Sequence, residues 1–221
     1  MTEPDRLDEI LAVWPDDLVA RYDRWAATYD DDHDGWGWRG PELVVDAARR
    51  LGARARAGTG RDRPIVDAGC GTGRLGVALR RAGWAGGLVG VDLSGGMLAV
   101  AARSGVYDHL ILCSLYDVPF ADGAVGAVVS SGVFTHGHVG GEAFAELARV
   151  TRPGGLVSVT QRLDVEVQLR PHTAALTEAG DWEPVERTPP APLHPGRDET
   201  AQTITTWRVC APSAGPPRRL R

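Results

Sequence analysis

The chain has 221 residues, of which 43% are hydrophobic, and its formal net charge is −5. This length allows one sizeable domain with its own core and is short for two. The acidic balance offers no surplus of cations for phosphate contacts, and no stretch approaches the roughly 20 apolar residues of a membrane helix. We therefore expect no nucleic-acid partner and no membrane partner. Because the N-terminus lacks the residue order of a signal peptide, we also expect a cytoplasmic location.

The first 52 residues predict a helical cap. Pro15 and the two acids after it indicate a helix start. Large side chains then follow at helical steps of four, three and four: Leu18, Tyr22, Trp25 and Tyr29. Residues 30–40 predict a loop that holds Trp36 and Trp38, and residues 41–51 predict a second helix. These aromatic side chains form a lid or an acceptor pocket in one interpretation, and pack the cap onto the rest of the protein in the other.

After a polar linker at 58–63, short apolar runs alternate with helical stretches. Strands are predicted at 65–68, 88–93, 109–113, 124–130 and 156–160, and helices at 74–81, 95–103, 141–150 and 165–178. This alternation is typical of a parallel sheet with crossover helices. Two further strands, at 182–187 and 201–209, are joined by a Pro-rich loop without a helix, which predicts an antiparallel pair. We expect one domain over 1–210, with the sheet core at 64–210 and a disordered tail at 211–221.

A glycine-rich loop is the strongest local motif. Residues 66–73 read Val-Asp-Ala-Gly-Cys-Gly-Thr-Gly, between the first predicted strand and its helix. Glycines let the backbone approach a ligand closely, where any side chain would collide with it. The second strand leads to Asp92, an acid placed to accept hydrogen bonds from both hydroxyls of a ribose. The two features together predict a nucleoside cofactor.

Two cofactors are compatible with this strand, loop and helix. Residues 71–76 match the G-x-G-x-x-G pattern of dinucleotide-binding proteins, which would make the protein an NAD(P)-dependent reductase. Other features favour S-adenosylmethionine: the additional Gly69 with Asp67 before it, the cap ahead of the first strand, the Asp-Val-Pro-Phe segment at 117–120 and the Arg-Pro-Gly-Gly segment at 152–155.

These segments together resemble the class I S-adenosylmethionine-dependent methyltransferases. Residues 67–73 look like motif I, residues 91–98 like motif II, and residues 149–156 like the start of the fifth strand. Residues 22–30 resemble the cap helix of the Williams–Beuren-region methyltransferase-like proteins and of bacterial small-molecule methyltransferases. The resemblance implies a Rossmann-like α/β sheet of seven mostly parallel strands in the order 3-2-1-4-5-7-6, with the last strand antiparallel and an N-terminal helical cap.

The resemblance also implies how S-adenosylmethionine is held. The residues expected at the cofactor are Tyr22, Trp25, Tyr29, Asp67, Gly69, Cys70, Gly71, Gly73, Asp92, Leu93, Met97, Ser114, Leu115 and Ser131. The loop glycines would pass beneath the methionine and ribose portions, and Asp67 would hold the ammonium group directly or through water. Leu93 and Met97 would flank the adenine. Where the family often has an acid for the adenine amino group, this chain reads Ser114-Leu115, which leaves the Leu115 amide to bind the ring.

Catalysis of methyl transfer needs positioning and the exclusion of water, because the sulfonium donor is already activated. A base is needed only where the acceptor holds a proton of high pKa. His136 and His138 follow the fourth predicted strand, at the edge of the sheet where such folds hold their sites, and they are the candidate catalytic bases. The alternative is that they are ordinary loop histidines.

We therefore expect an enzyme that transfers a methyl group from S-adenosylmethionine to an O, N or S atom of a small molecule, with S-adenosylhomocysteine as product. A protein that uses the same cofactor for another reaction remains an alternative, beside the reductase. All 24 basic residues are Arg and the chain has no Asn, which is typical of a GC-rich bacterial genome and is compatible with secondary metabolism. The three cysteines are scattered, the acids at 30–34 are expected in an exposed loop, and no metal is predicted. We expect a monomer or a homodimer.

Overall fold

The computed structural model describes residues 18–55, 63–196 and 200–211. Its elements in chain order are α1 (Leu18–Trp25), α2 (Tyr29–Gly35), α3 (Gly40–Ala55), β1 (Ile65–Ala68), α4 (Arg74–Arg81), β2 (Leu88–Asp92), α5 (Gly95–Ala101), β3 (His109–Leu112), β4 (Val125–Phe134), α6 (Ala143–Val150), β5 (Thr151–Arg162), α7 (Leu163–Glu178), β6 (Trp182–Arg187), β7 (Ala191–Pro192) and β8 (Ala201–Val209). A 3-10 turn, Ala102–Ser104, extends α5. The predicted helix start at Pro15, almost all of the linker and almost all of the tail lie outside the described residues.

The strands form one sheet in the order β3-β2-β1-β4-β5-β8-β6, with the two-residue strand β7 paired to β8. Strands β1 to β5 pair in parallel, and β8 runs antiparallel to both β5 and β6. The predicted order 3-2-1-4-5-7-6 is confirmed, and β8 occupies the position predicted for the seventh strand. Strand β7 was not predicted, because two residues carry no periodic pattern.

Helices cover both faces of the sheet. On one face, α3 and α4 bury Val44, Leu75 and Leu79 against the strands. On the other face, α6 and α7 pack over β4, β5 and β8, where Phe134 stacks on Phe144 with ring centroids 4.4 Å apart. Strands buried on two faces read as continuous apolar runs, which is why β1 and β2 could be found from the sequence.

The cap departs from its prediction in two places. The first helix ends at Trp25, and residues 29–35, predicted as loop, form α2 instead. The acids at 30–32 lie in the first turn of α2, where negative charge is stabilised by the helix dipole. Helix α3 continues through Gly52 to Ala55, because a single glycine costs a helix only about 1 kcal/mol.

Strands β4 and β5 are longer than predicted. Strand β4 extends past Ser130 to Phe134 with a register shift against β5, and the pairing of β5 begins at Thr151, ahead of the Pro-Gly-Gly turn that marked its predicted start. The extension of β4 projects beyond the edge of β1 and carries residues toward the site described below. Among the described residues, no helix is long and apolar enough to cross a membrane.

Candidate functional site

A cleft lies at the carboxyl ends of β1, β2 and β4, roofed by α1. Most residues predicted to hold a cofactor line it: Tyr22, Tyr29, Gly69, Gly71, Asp92, Leu93, Met97, Ser114, Leu115 and Ser131. His138 lines it as well. The structure does not bring Trp25, Asp67, Cys70, Gly73 or the side chain of His136 to this cleft.

The glycine loop presents bare backbone to the cleft. Gly69 and Gly71 have φ values of +70° and +54°, in the left-handed region that favours glycine. The amides of Gly69 and Cys70 donate to the carbonyl of Val91, 2.8 and 3.0 Å away, and so fix the loop onto β2. A Cβ at Gly69 would overlap Cγ2 of Val133, whereas a Cβ at Gly71 would meet open space. A ligand can therefore approach the chain closely at Gly71.

Asp92 joins the loop to the next element. Its Oδ2 accepts a hydrogen bond from the Gly71 amide at 2.8 Å, and its Oδ1 accepts one from the Ser94 amide at 2.9 Å. Burial raises the pKa of Asp92, although these backbone hydrogen bonds oppose that shift. A carboxylate has about four acceptor positions, so two remain for the hydroxyls of a ligand.

The end of the cleft near β2 and β3 is apolar. Met97 and Leu115 are buried there, and Leu93 stands at the rim with 47% of its surface exposed. Sequence reasoning missed several lining residues: Leu18, Val19, Ser94, Cys113, Tyr116, Gly132, Val133 and Val139. Leu18 was within the predicted cap stripe, which is the signal that could have assigned it. The exposed side chain of Leu93 and the buried side chain of Met97 leave a place for a flat ring between them.

Asp67 lies beneath the loop and not in the cleft. It is 1% exposed, and its Oδ2 accepts a 2.6 Å hydrogen bond from the hydroxyl of Tyr107. Its Oδ1 has no partner among the described residues. Burial raises the pKa of Asp67 to about 7, with the Tyr107 hydrogen bond opposing. Tyr107 therefore holds the carboxyl of Asp67 under the loop, and a contact of Asp67 with the ammonium group, direct or through water, stays a prediction.

Two other loop residues also face inward. Cys70 is 6% exposed, and burial raises the pKa of its thiol. Gly73 starts α4 against the ring of Tyr107. Both residues thus shape the loop from below.

The cap is tied to the two loops that form the cleft floor. Asp23 of α1 accepts hydrogen bonds from the Ser94 hydroxyl at 2.5 Å and from the Gly96 amide at 2.8 Å, and the Ser94 bond lowers the pKa of Asp23. Asp30 of α2 accepts a 2.6 Å bond from the hydroxyl of Thr72 in the glycine loop. Within the described ranges, no three potential metal ligands cluster.

Tyr22 and His138 meet where the cap reaches β4. Nδ1 of His138 lies 2.6 Å from the carbonyl oxygen of His136, which can only accept, so Nδ1 carries the proton. Burial lowers the pKa of His138 and favours the neutral ring. Its Nε2 then accepts the hydroxyl proton of Tyr22 at 2.7 Å. The side chain of His136 is exposed, and only its backbone takes part.

The remaining aromatic side chains of the cap lie behind this pair. Trp25 and Trp38 line a second cavity, which we call the inner chamber; it shares Tyr22, Tyr29, Gly132 and His138 with the cleft. Trp36 packs against Trp25, with ring centroids 6.1 Å apart. Neither Trp36 nor Trp38 lines the cleft.

Comparison with known proteins gives the family. A family model described as a methyltransferase domain matches residues 66–159. The chain is 38% identical over 169 residues to human methyltransferase-like protein 27, which covers 73% of this chain and 66% of that protein. It is also 38% identical over 143 residues to the malonyl-acyl-carrier-protein O-methyltransferase of Serratia marcescens, covering 63% and 50%. The match thus spans between about half and two thirds of these relatives.

The fold agrees with that of solved structures. The 4+2 cyclase SpnF superposes with a TM-score of 0.65 at 15% identity, covering 90% of this chain and 97% of that one. At this identity the likeness shows the fold alone. The family match decides between the two cofactors considered above in favour of S-adenosylmethionine. The chain belongs to the class I S-adenosylmethionine-dependent methyltransferases.

Proposed function

We propose that this protein transfers the methyl group of S-adenosylmethionine to an O, N or S atom of a small-molecule acceptor and releases S-adenosylhomocysteine. The observation that carries this proposal is the position of the Tyr22–His138 pair. It stands in the wall that separates the cofactor cleft from the inner chamber. The pair can accept a proton, and it lies between the cleft for the methyl donor and a second cavity. This position suits methyl transfer from the cleft to a molecule in that cavity.

The cleft fixes the direction of the cofactor in this proposal. Leu93 and Met97 would flank the adenine, and the free acceptor positions of Asp92 would take the ribose hydroxyls. The glycine loop would hold the methionine portion. Because the strands follow in the order β2-β1-β4, Gly132, at the boundary with the inner chamber, would lie nearest the methyl group.

His138 serves as the base for an acceptor with a proton of high pKa, and Tyr22 relays the proton. A lone pair of the acceptor oxygen forms the bond to the methyl carbon, and the carbon–sulfur electron pair returns to sulfur. The acceptor proton passes to the Tyr22 oxygen as the Tyr22 proton passes to Nε2 of His138. His136 positions the ring through its carbonyl, so we do not assign its side chain a catalytic role.

The test combines cofactor binding with transfer. In a thermal-shift assay, S-adenosylhomocysteine should stabilise the protein and NADPH should not. With methyl-labelled S-adenosylmethionine and pooled phenols, amines and thiols, label should move to an acceptor. Stabilisation by NADPH alone would overturn the proposal, and so would cofactor binding with no transfer to any pool. The latter result would favour the alternative of another reaction with the same cofactor.

A further inference from the structure

Three cavities follow one another along the carboxyl edge of the sheet. The cofactor cleft lies over β2, β1 and β4, and the inner chamber comes next. An outer groove then opens between α3 and the ends of β6 and β8. Leu193 and Gln202 line both the inner chamber and the outer groove. The inner chamber thus adjoins the cleft on one side and the groove on the other.

Aromatic rings dominate one wall of the inner chamber. Trp25, Tyr29 and Trp38 face it from the cap. No Asp or Glu is among the described residues that line it, and the guanidinium of Arg162 is already paired with Asp164 at 2.6 Å. Aromatic walls without a counter-charge suit a flat, uncharged ring, which gains from offset or edge contacts with them.

Gln202 adds a second requirement, which is that the occupant of the chamber carries a hydrogen-bond donor. It is 6% exposed, and its Oε1 has no hydrogen-bond partner in the part of the chain that the structure describes. A buried amide oxygen without a partner destabilises the free protein, and an occupant that brings a donor would remove that penalty. Because this oxygen is itself buried, contact with an occupant would require rotation about the last side-chain bond, which would turn the amide toward the chamber that the residue lines.

We propose that the inner chamber, together with the adjoining end of the cleft at Gly132, is the acceptor site, and that its substrate is a hydroxylated aromatic ring with a second hydrogen-bond donor. This rests on the function proposed above. The reacting hydroxyl faces Tyr22 and His138, and the second donor is bound by Gln202. A phenol suits the base, because its pKa near 10 is within reach of a neutral histidine once the oxygen attacks the methyl group.

The test uses simple rings as probes on protein saturated with S-adenosylhomocysteine. Ligand-observed NMR titrations compare 1,3-dihydroxybenzene with phenol and with 1,3-dimethoxybenzene. We expect the dihydroxy ring to bind most tightly and the dimethoxy ring most weakly. Equal affinities for the three would overturn the inference. Failure of the wild-type protein to bind S-adenosylhomocysteine would instead overturn the proposed function, so the two failures are distinguishable.

Variants of Gln202 test whether this residue binds the second hydrogen-bond donor of the substrate. Gln202→Leu and the longer Gln202→Met should weaken 1,3-dihydroxybenzene about tenfold, to the level of phenol, with no change in S-adenosylhomocysteine affinity. Thr203→Val is the matched control, because Thr203 is the next residue and is also buried, its hydroxyl also has no partner among the described residues, and it lines neither cavity. If both Gln202 variants keep the preference for the dihydroxy ring, the assignment is wrong.

Discussion

The hydroxyl of Tyr22 on α1 donates a 2.7 Å hydrogen bond to Nε2 of His138, which follows β4, across 116 positions of the chain. The bond joins the cap to the edge of the sheet. It also fills the only free nitrogen of the imidazole, since Nδ1 is bonded to the His136 carbonyl. The hydrogen bond that joins the cap to the sheet is therefore also the one that occupies the base.

This contact predicts that Tyr22 and His138 act as a unit. Tyr22→Phe and His138→Gln should each lower kcat by about 100-fold for acceptors with a proton of high pKa. The double variant should be no slower than the single ones, because either change breaks the same relay. His136→Gln is the control and should stay near wild type, since its carbonyl remains. Additive losses measured in steady-state assays would contradict the relay.

A second prediction concerns ribose binding. Asp92→Ala should weaken S-adenosylhomocysteine binding by about 1.5–3 kcal/mol in calorimetry, because the ribose loses hydrogen bonds to a charged group. Asp108→Ala is the matched control: its carboxylate accepts from the Leu88 amide at the opposite end of β2. Unchanged affinity in a folded Asp92 variant would remove the ribose assignment.

The glycine loop gives a third, paired prediction. Gly71→Ala should lower the free energy of unfolding by about 1–2 kcal/mol, the cost of a left-handed alanine. Gly69→Ala should lower it by a further 1–3 kcal/mol or so, because its methyl group overlaps Val133. Adding Val133→Ala to the Gly69 variant should restore part of the loss. Urea unfolding measures all three, and equal costs for the two alanines would refute the packing argument.

The sequence was informative where the site is made of neighbouring residues. The glycine loop and Asp92 could be assigned because the residues at 66–73 are contiguous and a strand end needs no long-range information. The sheet order followed from the family resemblance, and the helix-free link before β8 supported it independently.

Distant contacts account for what the sequence did not predict. Asp67 turns beneath the loop because of Tyr107, 40 positions away, and no local pattern encodes that hydrogen bond. The charge of the acids at 30–32 favours exposure and so predicts a loop. They are helical because the first turn of α2 favours negative charge and because Asp32 accepts a 2.6 Å bond from the indole of Trp25.

A fourth prediction is a pH dependence of stability from Asp67. Burial raises its pKa from the ordinary value of 3.8 to about 7 in the folded protein. The folded state therefore holds the proton more tightly than the unfolded chain does. The stabilisation from this proton is complete below about pH 4 and is lost as the pH rises through 7.

The comparison with Asp67→Asn isolates this effect. The side-chain oxygen of that variant still accepts a hydrogen bond from the Tyr107 hydroxyl, but the amide group does not titrate. Between pH 5 and pH 7.5, the unfolding free energy of the wild type should fall by about 2–3 kcal/mol relative to the variant, at 1.36 kcal/mol per pKa unit. Urea titrations at the two pH values measure it. A difference that does not change with pH would show that Asp67 is ionised in the folded protein.

The fifth prediction is that α1 closes over the bound cofactor. Leu18, Val19 and Tyr22 of α1 line the cleft, so S-adenosylhomocysteine should slow hydrogen exchange in peptides covering residues 18–35. Asp23→Ala should reduce this protection and weaken binding, because it removes the bonds to the Ser94 hydroxyl and the Gly96 amide. Asp31→Ala, an exposed acid on α2, is the matched control. Since Trp36 and Trp38 do not line the cleft, peptides at 36–39 should gain less protection than those of α1 itself. No added protection anywhere in residues 18–40 would reject the lid.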